Sequence, residues 1–205
     1  MQLARIAAAG WLVATLAVVG AAVTGCGGDH TSSPASSSST FSSAAAASSG
    51  SVTNPSPGQP TDYSSLLIKA GDIGGDFTTP QPPVQNPNNA AGVAQLYTSP
   101  DNTRRIGVTI LIVADPSVVP AGIENTKNNY AGKVSGTWQP VDVGANGFMI
   151  SGNSRDNSVT VLLFSEGKAI ANLEFDSAPN DPIDPNVAID VGRKQDAAIK
   201  AGLPG

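Results

Sequence analysis

The stretch from Gly27 to Thr61 restricts the fold more than any other part of the chain. Its 35 residues include 12 Ser, 4 Thr and 4 Pro, and almost nothing apolar larger than Ala. Such a segment cannot bury enough surface to offset the entropy of ordering it, so disorder is expected there. As a flexible coil it spans on the order of 30 to 35 Å, about 5 to 6 Å times the square root of its length. Its composition also resembles stalks that carry O-linked sugars, although an unmodified spacer accounts for it equally well. The part of the 205-residue chain able to build a core therefore begins at Asp62.

The residues ahead of this tether read as an address. Arg5 is the only charge before an apolar run from Ile6 to Val23, the pattern of a positive n-region followed by an h-region. At about 18 residues the run is close to the lower length limit of a spanning helix, so length alone does not separate a signal peptide from an anchor. The run ends in Val23-Thr24-Gly25-Cys26, which resembles the bacterial lipobox: an aliphatic residue, a small residue, Gly or Ala, then the Cys that is lipidated. The resemblance implies a lipoprotein signal peptide over residues 1–25, a lipidated Cys26 opening the tether of residues 26–61, and a single domain over residues 62–205. Each buried methylene of an acyl chain contributes about 0.8 kcal/mol, and two chains on one thioether anchor stably where one does not. The expected location is the extracytoplasmic face of the cell membrane. Loss of residues 1–25 leaves 10 basic against 16 acidic residues, so no polybasic patch assists the anchor.

Simple counts remove several kinds of site. One Cys excludes an intramolecular disulfide and a four-cysteine zinc site, and one His excludes a two-histidine metal site. That histidine, His30, falls in the tether, where solvated polar surface is its expected role. A net charge of −5 offers no excess of Lys or Arg to neutralise phosphates, so nucleic acid is not an expected partner.

From Asp62 onward the periodicity becomes regular. Asp62 is placed to cap a short helix carrying Leu66, Leu67 and Ile68, which ends at the glycines of GDIGGDF. A Pro/Asn-rich loop from Thr79 to Asn89 follows. Val93 to Thr98 and Arg105 to Ala114, joined through Ser99-Pro100-Asp101-Asn102, predict a β-hairpin. In its second strand Ile106, Val108, Ile110 and Ile112 share one face, while Leu111 and Val113 lie on the other, which implies cover on both sides. Asp115-Pro116 and Pro120 open a helix on which Ile123, Lys127, Tyr130 and Val134 recur at the spacing of one face. After Trp138-Gln139-Pro140, strands are predicted over Val141 to Ile150, Ser158 to Phe164 and Lys168 to Phe175, with Glu166-Gly167 turning the last two into a hairpin. Asp184 caps a final helix with Pro185 in its first position, and Val187, Val191, Gln195 and Ala198 form the stripe turned to the sheet. The expectation is an α+β domain with an antiparallel sheet of about five strands and helices on one or both faces.

This layout of lipobox, Ser/Thr tether, hairpin, helix, meander and C-terminal helix resembles mycobacterial and related actinobacterial exported lipoproteins, particularly those of the LpqN type. That resemblance implies a PsbP-like domain and a secreted, envelope-bound protein.

Few motifs carry chemistry. Ser165 and Lys168 match the serine-x-x-lysine spacing of penicillin-binding enzymes, but there the serine opens a helix, whereas Glu166-Gly167 makes a turn from which the two side chains diverge. GDIGG lacks both the spacing and the preceding strand of a nucleotide loop. The acids Glu174, Asp176, Asp181, Asp184 and Asp190 gather near one loop. They lack the alternating ligands of a calcium loop, and capping and turn chemistry accounts for Asp181 and Asp184. Tyr130 and Trp138 flank a helix-to-strand junction, where an aromatic pair either closes the end of a core or contacts a sugar, lipid or protein. Arg104-Arg105 reads as solvated strand surface. No metal, cofactor or catalytic set is expected. The sequence points to a non-enzymatic, lipid-anchored binding module for a protein partner or envelope component. The alternatives are a lipid or glycolipid carrier with an apolar cavity and, behind it, an envelope hydrolase using carboxylates.

The anchor has a direct test. Cys26→Ala is expected to abolish the lipid mass on the mature chain and alter its processing, read by intact mass spectrometry of membrane and aqueous fractions; a lipid mass retained by the variant refutes the assignment.

Overall fold

The computed structural model describes residues 62–203. The segments expected to be a signal peptide and a tether, the lipobox-like Val23, Thr24 and Gly25, the expected lipidation site Cys26, and His30 all lie outside the described residues. Within the domain the element order mixes strands and helices around one antiparallel sheet. The strands are β1 (Val84–Gln85), β2 (Gly92–Thr98), β3 (Arg105–Ile112), β4 (Gln139–Pro140), β5 (Ala145–Ser154), β6 (Asn157–Glu166) and β7 (Ala169–Ser177). Their order across the sheet is β1-β2-β3-β7-β6-β5-β4. The sheet thus has seven strands where about five are expected from the sequence. The two extra ones are two-residue edges, too short to show alternation: β1 forms inside the Pro/Asn-rich loop, and β4 ends on a proline.

The β2–β3 and β6–β7 hairpins follow the pattern read from their residues. Ser99 N–H donates to Arg104 O at 3.0 Å across the first turn, and Asn102 takes the left-handed conformation there, with φ 57°, a role for which Asn is suited. β3 then pairs with β7, bringing Val108 opposite Leu173 and Ile110 opposite Ala171. β6 has eight consecutive buried residues from Ser158 to Ser165. A half-covered strand alternates, so this run requires a layer on each side. Leu162 and Leu163 are both 0% exposed and, being neighbours in a strand, point to opposite faces.

The first face is covered by α3 (Pro185–Gly202). Asp184 accepts from Asn186 N–H at 2.8 Å, and Pro185 occupies the first turn, where its missing N–H costs nothing. Ala188, Val191 and Ile199 are fully buried against Leu162, Phe164, Leu173 and Phe175. The helix lies so close that a Cβ on Gly192 would fall 2.2 Å from Leu162 Cδ2. Of the stripe read in the sequence, Val191 and Gln195 are buried and Val187 is exposed, and Ala188, Gly192 and Ile199 complete the inner face. Small residues determine the approach here, and a hydrophobicity pattern does not register Ala and Gly as anchors.

Gln195 is fully buried on the same helix. Its amide nitrogen donates to Leu66 O at 2.6 Å and its Oε1 accepts from Ile68 N–H at 3.3 Å. These bonds hold the N-terminal segment, which is a 3-10 turn over Ser64–Leu66 followed by α1 (Ala70–Ile73) rather than one short helix. Asp62 does accept from Ser64 N–H, at 2.8 Å.

The second face is covered only in part. α2 (Val119–Asn129) packs Val119 and Ile123 on Leu163 and Ile170. It ends one residue before Tyr130, so Tyr130 and Val134 reach the sheet from the chain that follows and bury against Ile150, Val159 and Val161. The third long strand begins at Ala145, later than the Val141 expected from the sequence, and carries a register shift between Ala145 and Phe148.

Leu162→Ala, which empties a site between α3 and the sheet, is expected to lower stability by about 2 to 5 kcal/mol, whereas Val187→Ala on the exposed side of α3 should stay within about 0.5 kcal/mol. Urea denaturation of both variants checks the asymmetry.

Candidate functional site

The surface offers two hollows and one bare sheet face. A groove of about 600 Å³ runs between the N-terminal segment and α3, lined by Leu67, Ile68, Lys69, Lys194, Ala198 and Ala201 among others. A hollow of about 220 Å³ lies beside Asn153, Arg155, Asp156 and Asn180. Both are open to solvent and neither contains a half-buried ionisable network. The third region is the uncovered half of the second sheet face, over β2, β3 and β7.

The register defines this region residue by residue. Leu96, Gly107 and Glu174 form one cross-strand row. Ala94, Thr109 and Asn172 form the next row on one side, and Thr98, Arg105 and Asp176 the next on the other. The eight side chains and Gly107 lie on the face that α2 leaves bare at this end, since the alternate residues of each strand, Val93, Val108 and Leu173 among them, lie in the main core. Most are partly shielded and partly open. At the centre, a Cβ added to Gly107 would meet nothing within 4 Å. The floor has a notch there, between the apolar Leu96 and the carboxyl of Glu174.

Tyr130 supplies the wall. Its ring is buried, in an edge-to-face contact with Trp138 at 6.1 Å between centroids and 72° between planes, and its hydroxyl donates to Glu174 Oε2 at 2.7 Å. Asn172 Nδ2 donates to the same hydroxyl at 2.8 Å. The phenol is therefore fixed from both sides. The other carboxylate oxygen, Glu174 Oε1, accepts no hydrogen bond among the described residues, and neither oxygen of Asp176 does. Of the buried side-chain polar atoms without a partner, Asn172 Oδ1 belongs to this network.

The electrostatics follow from partial burial. Desolvation raises the Glu174 carboxyl above its ordinary value; the Tyr130 hydrogen bond opposes this, the Asp176 charge adds to it and Lys133 opposes it. Asp176 is also raised by desolvation, against the nearby charge of Arg105. The Tyr130 hydroxyl is raised by burial first and by the Glu174 charge second, so it stays a neutral donor at any physiological pH. Both carboxyls on this face, Glu174 and Asp176, are thus pushed upward.

The remaining residues singled out in the sequence have other occupations. Asp181 pairs with Arg104 at 3.0 Å, Asp184 caps α3 and Asp190 pairs with Lys194 at 2.8 Å, so the five acids read together as one cluster are dispersed. Ser165 donates to Ala145 O at 3.0 Å and receives Asn146 Nδ2 at 3.2 Å, a strand-to-strand role. Lys168 lies beyond the turn at Gly167, whose φ is 55°. Lys127 stands 4.0 Å over the Phe148 ring and pairs with Glu124 at 2.9 Å. Tyr130 reaches the open face, while Trp138 buttresses its ring from behind. No group of three or more His, Cys, Asp or Glu residues could hold a metal ion among the described residues.

The connection of Tyr130 to Glu174 spans 44 residues and has no signature in the sequence. The alternation of β7 did offer one clue, since it places Asn172, Glu174 and Asp176 on a common face; Gly107 in a strand interior offered another.

With this geometry in place, comparisons with known proteins add little. No protein-family model matches the chain, and no curated protein matches it. Among solved structures the chain is similar to the extracellular domain of PknH from Mycobacterium tuberculosis, at 9% identity and a TM-score of 0.48, over 67% of this chain and 94% of that one. No helix among the described residues is long and apolar enough to cross a membrane.

A titration separates the Glu174 environment from a solvated one. The native state keeps the Glu174 proton to higher pH than the unfolded chain, so native stability falls as pH rises from the ordinary glutamate range, about 4.3, through the raised native value. Glu174→Gln keeps an acceptor for Tyr130 and removes this loss. The variant should match the parent below about pH 4 and be the more stable at pH 7, measured by urea denaturation across that range. A difference that does not depend on pH would refute the assigned environment.

Proposed function

We propose that the chain is a lipid-anchored, extracytoplasmic binding domain of the LpqN-type lipoprotein kind, without catalytic activity, which engages a cell-envelope component or partner protein through the open half of its second sheet face. The observation that carries this reading is the notch over Gly107. A sheet face that α2 could have covered instead presents open space beside a fixed Tyr130–Glu174–Asn172 network, with carboxylate oxygens free to accept. Holding half-buried carboxyls there costs stability, and such a cost is retained where a ligand or partner uses the groups. The lipobox-like residues Val23, Thr24, Gly25 and Cys26 and the Ser/Thr/Pro-rich composition of residues 27–61 support that location.

The carrier alternative rested on apolar character on both faces of β3 and β6. Packing of α3 on one side and of α2 with the Tyr130–Trp138 segment on the other accounts for β6 without an internal cavity. A hydrolase reading is favoured by one observation, since Glu174 and Asp176 lie two residues apart on one strand face, about 7 Å between Cα atoms. Against it, the face is open on the β2 side, where water has free access.

The binding reading is tested by placing the photo-reactive p-benzoylphenylalanine in the full-length chain, in the membranes of an actinobacterial host, at Leu96 beside the notch or at Val187 on the exposed side of α3. A discrete adduct is expected from position 96 and not from 187. Equal adducts from both positions, or none from 96, overturn it.

A further inference from the structure

We propose that the notch over Gly107 is a subsite for a neutral, polyhydroxylated chain, that is, an oligosaccharide segment; this rests on the open sheet face being the binding face.

The argument begins with the floor. Ala94, Gly107 and Thr109 are small, and the strands carrying Leu96 and Glu174 lie on either side of β3. With neighbouring strands about 4.8 Å apart, Leu96 and Glu174 stand about 10 Å apart across the glycine. A flat object of ring size is what such a floor admits. One side of the notch is apolar, through Leu96, and the other is a carboxylate. This combination fits a ring that has a C–H face and hydroxyl edges.

Charge then selects among ligands. Asp176 has Arg105 opposite it in register, and the two interact electrostatically. Glu174 has Lys133 in range. No ion pair closer than 4 Å forms with either acid among the described residues, so these charges balance across the face without neutralising one another by contact. A cationic chain meets Arg105 and Lys133, and an anionic one meets Glu174 and Asp176. A neutral ligand carrying donors and acceptors on adjacent atoms meets no like charge. Hydroxyl groups serve both functions at once. Glu174 Oε1 and both Asp176 oxygens have no donor, and the hydroxyl of Thr109 and the guanidinium of Arg105 supply donors on the same surface. Rows on one strand face repeat about every 6.8 Å, so successive polar rows can meet successive hydroxyl-bearing portions of a chain. Tyr130 makes the acceptor rigid: its bond to Oε2 leaves the Oε1 side directed by a fixed phenol. Ordering of the carboxylate is thus complete before a ligand arrives, which lowers the cost of binding.

The test uses the full-length chain, isotope-labelled and solubilised in a polyoxyethylene detergent so that the detergent itself offers no sugar. The probes are maltotetraose, mannotetraose and chitotetraose, with tetralysine as the cationic control. At least one tetrasaccharide is expected to shift the Gly107 amide resonance saturably and to be recovered at unchanged mass. Gly107→Val, whose Cβ would meet nothing within 4 Å, is expected to weaken that binding at least tenfold while leaving the thermal midpoint at or above that of the parent. If tetralysine shifts Gly107 and no tetrasaccharide does, the ligand class is wrong and the binding face stands. If no probe shifts Gly107 while a benzophenone at position 96 still gives a discrete adduct, the ligand class again falls alone. If neither occurs, both readings fall. Binding that Gly107→Val leaves intact overturns the subsite.

Discussion

Two-sided burial of β6, with Leu162 and Phe164 against α3 and Val161 and Leu163 against the α2 side, determines where every other layer must lie. Eight consecutive buried residues cannot be satisfied by a single cover. The strand therefore sits inside the sheet, between β7 and β5, and brings a helix to each face. The covers are unequal. α3 has 18 residues and closes the first face; α2 has 11 and closes only the part of the second face above β6 and the Ile170 end of β7. Everything distinctive about the open region follows from that difference in length, because β2 and β3 pass beyond the reach of the shorter helix.

The polar residues on the bare half show the consequence. Asn172, Glu174 and Asp176 alternate along β7 with Ala171, Leu173 and Phe175, which lie in the core. The strand is thus apolar on the α3 side and polar on the other, as an antiparallel strand with one solvated face should be. What departs from simple solvent exposure is partial burial. Tyr130 leans over the strand from the end of α2 and draws Glu174 into a medium where ionisation is less favourable. A surface carboxylate placed for solubility alone gains nothing from such an arrangement.

Much of the frame was legible in the residues. The β2–β3 and β6–β7 hairpins, the Asp184-Pro185 start of α3 and the alternation of β7 could be read directly, because turn chemistry and period-two patterning are local. The two-residue edges were not legible, since pairing over two residues leaves no pattern. On α3 the stripe holds at Val191 and Gln195 and fails at Val187, whose inner place is taken by Ala188 because small residues set the approach. Tyr130 was singled out as an aromatic at a junction, but its partner 44 residues away depends on the order of strands, which alternation does not encode. Gly107 in a strand interior hints at a close approach, but which face has space above it depends on the assembled sheet. Site residues that work through cross-strand register become visible only when the sheet is assembled.

The Gln195 contact with Leu66 and Ile68 has a mechanical meaning. Any pull delivered through the chain before Asp62 enters the domain at the Ser64–Leu66 turn, which rests on the last turns of α3: Gly202 lies close enough that a Cβ on it would come within 2.8 Å of Leu66. The load falls first on the bonds that Asp62, Tyr63 and Ser64 make with Gln85 of β1, and then on the Gln195 amide and on the Tyr97 hydroxyl of β2, which donates to Ile68 O at 2.7 Å. A pull at Asp62 is thus shared between α3 and the β1–β2 side of the sheet.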